Sequence, residues 1–227
     1  MKLVLVIKLR LDLTIKKMER DEFDSLKDAV EGTYKVLFFE VYQYHDKNDQ
    51  LYDDLPYSFH LKMVKNIVNY HMYDILNADK IDWKRLNQAQ RNDFLDEIAI
   101  LQISSVEHDL IEDTRLKYHD IIKLNNKYLT NTKVSEKIAD IVYALTDEKG
   151  KNRNERHNDK YWDVLINTDY ASYIKLCDIY ANLYCSKYIT YNRHLLKMYS
   201  NEISLLEKRL NSQDKNINCL ISKLKNL

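Results

Sequence analysis

Glycine and proline are almost absent from this chain, which has 2 glycines and 1 proline among its 227 residues. Average usage, about 7% glycine and 5% proline, would give roughly 27 such residues. β-Sandwiches, β-barrels, dinucleotide-binding folds and phosphate-binding loops need glycine at their turns or beside the phosphate. Because only Gly32 and Gly150 are present, these classes are nearly excluded. Hydrophobic residues make up 45% of the chain, enough for a core, and the sequence predicts an all-α fold.

The charges of the chain balance, with 35 Lys and Arg against 35 Asp and Glu. This neutrality argues against a broad nucleic-acid surface, and no nucleic-acid partner is expected. Three cysteines without a CxxC pair favour a reducing compartment. No apolar run reaches the roughly 18 residues that a membrane-spanning helix needs, and the apolar run near the N-terminus is too short for a signal peptide. We therefore expect a cytoplasmic protein without a membrane partner.

An N-terminal extension, residues 1–18, is expected to precede a helical domain, residues 19–190. Within the extension, residues 5–13 alternate apolar and charged side chains, which favours a short β-strand. Apolar residues in the domain recur at helical spacing. The predicted helices cover about 19–44, a segment beginning at Pro56, 91–108, 118–129, 135–146, 155–166 and 170–190. Ser135 is the expected N-cap of the helix over 135–146.

The last segment, residues 191–227, has a pattern of its own. Apolar residues recur at alternating steps of three and four from Leu196 to Leu227, interrupted by the polar Gln213. This is a heptad-like seam, which a helix must bury. Two burial partners remain open, the core of the chain's own domain or the same seam of a second copy. The second alternative predicts a homodimer through residues 196–227.

One of the three His-Asp dipeptides stands in a context that suggests chemistry. His108 and Asp109 open the stretch HDLIEDT, in which Glu112 and Asp113 follow one helical turn later. On a helix, this spacing places the four side chains around one edge. An imidazole and a carboxylate at adjacent positions can both reach one metal ion, and a carboxylate one turn away can act on a water as general base. The alternative is a solvated helix end.

Two further residues complete a candidate metal site. His60 lies in PYSFH at the start of the second predicted helix, and Asp178 lies in IKLCDIYANL within an apolar helix. An aspartate in such surroundings is costly to bury unless it is paired or bound to a metal, and a buried salt bridge is the competing interpretation. Two histidines with two aspartates give a mixed nitrogen and oxygen site. Such a site suits Mn²⁺ or Fe²⁺ better than a thiolate-rich structural zinc site.

The order of four stretches resembles the HD superfamily of metal-dependent phosphohydrolases. Within it, the chain is similar to the (p)ppGpp hydrolase domain of RelA/SpoT proteins and to the small alarmone hydrolases. The stretches are PYSFH (56–60), HDLIEDT (108–114), ALTDEKGKNRNER (144–156) and IKLCDIYANL (174–183). The resemblance spans about residues 34–190.

The resemblance implies an HD-type helical bundle that holds Mn²⁺, or Fe²⁺ or another divalent ion. The ligands that it implies are His60, His108, Asp109 and Asp178. It also implies that Glu112 and Asp113 position or activate the attacking water. Asn182, one turn after the last ligand, would face the substrate, and Lys149 would approach its phosphates.

The chain departs from this family in the loop before His60. The basic cluster that the family usually carries there is reduced to Lys47 among acidic residues, in HDKNDQLYDDL. We therefore expect the segment 149–156, with Lys149 and Arg156, to carry more of the phosphate recognition than Lys47. Acidic side chains interleave with these basic residues, so a solvated loop is the alternative.

The resulting functional expectation is a metal-dependent hydrolase that cleaves a phosphate or pyrophosphate bond of a small-molecule nucleotide. A (p)ppGpp-like alarmone 3'-pyrophosphohydrolase is the first candidate. An HD-type nucleotidase acting on another nucleotide is the second. A catalytically inactive helical scaffold is the alternative from a different class.

Overall fold

The computed structural model describes residues 18–47, 49–52, 54–210 and 214–226. Over these residues the chain is an all-α bundle, as predicted, with a two-stranded antiparallel sheet as the β-structure described. The alternating segment 5–13, predicted as a strand, lies outside the described residues.

The charged segment around residues 147–152 divides the described helices into two groups. Those before it are α1 (Arg20–Asp46), α2 (Tyr57–Ile75), α3 (Gln88–Glu107), α4 (Leu110–Asp113), α5 (Tyr118–Asn125) and α6 (Thr132–Leu145). Those after it are α7 (Arg153–Arg156), α8 (Asp159–Asn167), α9 (Ala171–Tyr188), α10 (Arg193–Leu210) and α11 (Lys215–Lys225). Strands β1 (Leu51–Tyr52) and β2 (Leu55–Pro56) lie between α1 and α2, and 3₁₀ turns (Ala78–Lys80, Trp83–Arg85) between α2 and α3. The sheet pairs Leu51 with Pro56 and Tyr52 with Leu55.

Helices α2, α3 and α9 form the centre of the bundle. Every residue of α3 from Ile98 to Glu107 is buried, and so is nearly all of α9. A helix that is buried on all sides belongs in the middle of a helical protein. Helix α3 packs against α1, α2 and α6, and α9 packs against α2 and α10. Polar side chains carried by α2, α3 and α9 therefore meet inside the bundle.

Two details of the predicted helices are wrong. Helix α6 begins at Thr132 with Asn131 as N-cap, whose side chain accepts a hydrogen bond from the backbone N–H of Lys133, while Ser135 is buried inside the helix. The predicted helix 155–166 is instead α7 followed by α8. The break occurs because Asn158 caps α8 by accepting from the N–H of Tyr161. Asparagine side chains that can bond the backbone compete with helix continuation.

The heptad-like tail is two helices, and its seam is buried within the chain itself. Helix α10 packs on α8 and α9, and α11 packs on α2, α9 and α10. The buried seam residues are Ile203, Leu206, Leu220 and Leu224. A turn at Tyr191, whose φ is 54°, separates α9 from this tail. Of the two burial partners left open, the chain's own core is therefore the one observed, while the homodimer stays a prediction.

None of the described helices combines the length and apolar character that crossing a bilayer requires. Cys177 and Cys185 are buried and Cys219 is exposed, and none of the three forms a disulfide. The buried pair therefore packs as small apolar residues.

Candidate metal centre

Three central helices bring the four predicted metal ligands together. His60 lies in the first turn of α2, and His108 directly follows α3. Asp109 is the next residue, and Asp178 lies near the middle of α9. Both histidines are only 2% exposed. Residues as far apart in the sequence as His60 and Asp178 thus face one another at the core.

The ligand atoms converge on one point. His60 Nε2 lies 3.3 Å from His108 Nε2 and 3.2 Å from Asp178 Oδ1. Asp109 Oδ2 lies 2.9 Å from His108 Nε2 and 3.7 Å from His60 Nε2. Two atoms each about 2.1 Å from one ion, at right angles, are about 3 Å apart. The separations observed here fit that arrangement.

His60, His108 and Asp178 form a buried cluster that could hold a metal ion, because their ligand atoms all lie within 4.8 Å of one another. Imidazole nitrogen and carboxylate oxygen are donors for borderline and hard divalent cations. The Oδ2 atom of Asp109 faces the same two imidazoles, so this side chain is placed to serve as a fourth ligand. The donor set therefore fits a divalent ion.

The electrostatic field at this point favours positive charge. Burial alone would lower the pKa of His108, but the carboxylates of Asp109 and Asp178 raise it to about 9. Burial would raise the pKa of Asp109, and His108 instead lowers it to about 2. Burial also acts on Asp178, whose pKa is nevertheless held well below its usual range by Lys175 and the two histidines. Two ionised carboxylates in a buried site are what a divalent cation would neutralise.

Hydrogen bonds outside the cluster fix the orientation of its members. The Nδ1 atom of His108 lies 3.0 Å from the backbone oxygen of Ser105, which leaves Nε2 for the cluster. The hydroxyl of Tyr57 donates to Asp109 Oδ2 at 2.6 Å. The ring of Tyr52 stacks on that of His60 with centroids 4.7 Å apart. Contacts of this kind orient metal ligands and raise their affinity.

Asp178 is held by both of its oxygens. Lys175 donates to Oδ2 at 3.1 Å, and Asn182 donates to Oδ1 at 2.6 Å. The oxygen of the Asn182 amide in turn accepts from the hydroxyl of Tyr52 at 2.7 Å. Asn182 is expected to face the substrate, but it is only 7% exposed. Its amide group links Asp178 to Tyr52 of strand β1.

The two predicted catalytic carboxylates lie on α4, next to the cluster. The backbone N–H of Asp147 donates to Glu112 Oε2 at 3.3 Å, and Arg156 Nη1 lies 4.0 Å from Glu112 Oε1. Burial, with the charges of Asp147 and Asp109, raises the pKa of Glu112 to about 7. Burial and the charge of Asp109 likewise raise the pKa of Asp113 to about 6. Carboxyl groups that titrate near neutrality are suited to general acid–base catalysis.

The predicted phosphate-binding cations have different positions. Arg156 is half-buried and lies 3.3 Å from Asp147, next to Glu112. Lys149 is exposed and lines a cleft of about 200 Å³ together with Asp147, Lys160 and other residues. Lys47 is exposed at the C-terminal end of α1, where its charge acts on Glu40. The structure thus brings Arg156 to the candidate catalytic carboxylate, Lys149 to the neighbouring cleft, and Lys47 to neither.

Sequence reasoning missed several residues that support the cluster. Tyr57 and Lys175 each stand three positions before a predicted ligand, which places them on the same helix face, and this spacing could have revealed them. His157 and Glu202 gave no such signal, because their partners are 10 and 49 positions away. His71 of α2 is buried beside a small cleft against α11, outside the cluster.

Comparison with known proteins adds no relative to this description. No protein-family model matches the chain, and no curated protein is significantly similar to it. The functional observation that the structure provides is therefore the buried cluster that could hold a metal ion.

Proposed function

We propose that this protein is an HD-type phosphohydrolase that uses Mn²⁺ to cleave a phosphate or pyrophosphate bond of a small-molecule nucleotide. The observation that carries the proposal is the buried cluster of His60, His108 and Asp178, with Asp109 facing its two imidazoles, beside two carboxyl groups with raised pKa values. The buried cluster is not needed to pack a helical bundle, because buried charges cost free energy unless they are compensated.

The residues that would hold the ion are His60, His108, Asp109 and Asp178. When bound, the ion would neutralise phosphate charge and lower the pKa of a water molecule. Its identity as Mn²⁺ rests on the mixed donor set, and Fe²⁺ is the alternative that the same donors accept.

The carboxyl groups of α4 would handle the proton. Glu112, with a pKa of about 7, can accept a proton from the attacking water and return it to the leaving group. Asp113 lies one residue further on and titrates at about 6, and its backbone oxygen is fixed by Gln50 at 2.6 Å. We assign Glu112 as general base and Asp113 as the group that orients water.

The substrate phosphates would lie on the side of Arg156 and Lys149. Arg156 places a cation within 4.0 Å of Glu112, so a phosphoryl group attacked there would be next to positive charge. A (p)ppGpp-like alarmone is the first candidate substrate. Lys47 lies at the C-terminal end of α1, where its charge acts on Glu40 rather than beside Arg156 and Lys149. This position favours the second candidate, a nucleotide that makes fewer phosphate contacts with the loop before His60.

A panel of nucleotides incubated with protein and Mn²⁺ tests the proposal, with phosphate and pyrophosphate measured separately. Release of pyrophosphate from (p)ppGpp identifies the first candidate, and release of phosphate from another nucleotide identifies the second. The matched control is His108→Ala, which removes a ligand and should abolish release. If Mn²⁺-loaded protein releases nothing from any nucleotide, the inactive scaffold is the remaining interpretation. The buried free thiols fit a reducing compartment, and we place this activity in the cytoplasm.

A further inference from the structure

Helix α10 of the C-terminal tail carries a buried carboxylate, Glu202, that is 3% exposed. Three cationic or titratable side chains from other elements surround it. Arg153 of α7 donates to Glu202 Oε2 at 2.5 Å. Lys175 Nζ of α9 and His157 Nδ1 lie 3.9 Å and 3.5 Å from Glu202 Oε1.

The contact of Glu202 with Lys175 leads to the metal centre. This lysine is buried, and its ammonium group lies between two carboxylates, Asp178 at 3.1 Å and Glu202 at 3.9 Å. Asp178 offers its other oxygen, Oδ1, to the metal cluster. The charge of Glu202 therefore determines how strongly Lys175 is drawn towards Asp178.

The contact of Glu202 with His157 leads to the candidate general base, Glu112. The Nε2 atom of His157 lies 2.6 Å from Asp147 Oδ1, while its Nδ1 atom faces Glu202. The backbone N–H of Asp147 in turn donates to Glu112. Two chains of contacts thus begin at one side chain of the tail, one ending at Asp178 and the other at Glu112.

We propose that Glu202 is a positioning residue for the metal centre, which makes helix α10 part of the functional site. This inference rests on the proposed function, because it requires an ion at the cluster. Buried ion pairs contribute little stability compared with apolar packing of the same volume, so stability alone does not explain why this group of charges is buried here. Without the charge of Glu202, Asp178 is the remaining carboxylate within 4.0 Å of Lys175 Nζ among the described residues, and Asp147 and Glu112 act on this lysine from farther away. The lysine then competes with the ion for Asp178.

The test is a titration of the Glu202→Gln protein with Mn²⁺, in which the electron paramagnetic resonance signal of the free ion measures how much Mn²⁺ is unbound. Loss of a group that orients a metal ligand typically weakens metal binding about 10–100-fold, and we expect the Kd to rise by about 10-fold or more. Glu202→Asp keeps the charge and should recover part of the affinity. The matched control is Glu207→Gln on the same helix, which removes an exposed carboxylate paired with Lys225 and should leave the Kd unchanged.

A folded Glu202→Gln protein that binds Mn²⁺ with the affinity of the wild type would overturn this inference and leave the proposed function intact. If Glu202→Gln fails to fold, the pair Glu202→Gln with Arg153→Gln removes one charge of each sign and takes its place. The same loss of affinity is expected there, and wild-type affinity overturns the inference equally. A wild-type protein that binds no Mn²⁺ overturns both the inference and the proposed function.

Discussion

At the scale of single residues, the candidate site combines groups that the sequence revealed with groups that it could not. The proposed ligands His60, His108, Asp109 and Asp178 could be selected from local motifs. The hydrogen bond from Tyr57 to Asp109 could not be predicted, because it joins residues 52 positions apart in the sequence. Contacts of this separation depend on how helices pack, which no local pattern specifies.

Glu112→Gln should keep the fold and the metal but lose most of the turnover, because the amide cannot accept a proton. A general base contributes about 10²–10⁴-fold to a rate, so kcat should fall within that range. The measurement is kcat with the substrate identified by the nucleotide panel, together with the Mn²⁺ content of the variant. Glu136→Gln, on the exposed side of α6, is the control. Near-normal turnover in Glu112→Gln would show that another group accepts the proton.

His71 should make the stability of the protein depend on pH. Burial lowers its pKa to about 4, with Lys223 and Arg20 acting in the same direction and Asp74 opposing them. Between pH 6.5 and 4 the unfolded chain therefore binds a proton at His71 that the folded chain does not, so stability falls as the pH falls. At 1.36 kcal/mol per pKa unit, reduced by solvent screening in the cleft, the loss should be about 1–2 kcal/mol.

Thermal unfolding at pH 7 and pH 4.5 measures this effect. His71→Gln should lose less stability than the wild type between the two pH values, because glutamine does not titrate. His119→Gln, which replaces an exposed histidine, should behave like the wild type. Equal pH dependence in all three proteins would show that His71 binds its proton equally well when folded.

At the scale of elements, helical periodicity predicted the helices well and their ends less well. The near absence of glycine and proline removed the usual breaks, so apolar spacing decided most of the assignments. The errors occur where asparagine side chains cap a helix, at Asn131 and Asn158. Many asparagines in this chain could cap, and only tertiary packing selects those that do. The short strands β1 and β2 were missed because two residues give no detectable period.

The first turn of α2 carries a proposed ligand, His60, and also Tyr57, which donates a hydrogen bond to another proposed ligand, Asp109. Tyr57→Phe removes the hydroxyl that donates to Asp109 and keeps the ring that packs at 5.5 Å against His60. We expect the fold to be kept and the Mn²⁺ affinity to fall about 10-fold. Tyr70→Phe on the same helix removes an exposed hydroxyl and is the control. A Mn²⁺ titration of the two variants measures this effect. Equal affinities would show that the Tyr57 hydroxyl does not contribute to metal binding.

At the scale of the whole molecule, the tail completes the core. The periodicity of residues 196–227 correctly indicated a buried seam, but it could not choose between two burial partners. The seam is buried against α9 and α2 of the same chain, which contact the tail helices. Whether a second copy also associates is a separate question. Light scattering of the full chain answers it, and a monomer would refute the predicted homodimer.

A chain that ends at Tyr191 should unfold or aggregate. It lacks Ile203, Leu206, Leu220 and Leu224, all of which are at least 98% buried in the full chain. Burial of each such side chain contributes roughly 1.5–3 kcal/mol. Their sum approaches the net stability of a typical domain, roughly 5–15 kcal/mol. Circular dichroism and thermal unfolding of the shortened chain are the measurement, and a cooperative transition near that of the full chain would contradict the packing described for the tail.

If His60, His108, Asp109 and Asp178 hold a catalytic metal ion, the metal-free protein should bind Mn²⁺ stoichiometrically. Metal-free protein is titrated with Mn²⁺ and the bound ion is counted, for the full chain and for Asp178→Ala. We predict a single Mn²⁺ ion per wild-type chain and loss of tight binding in the variant, with both proteins folded by circular dichroism. A folded wild-type chain that binds no Mn²⁺, or a variant that binds it as tightly as the wild type, would contradict the claim.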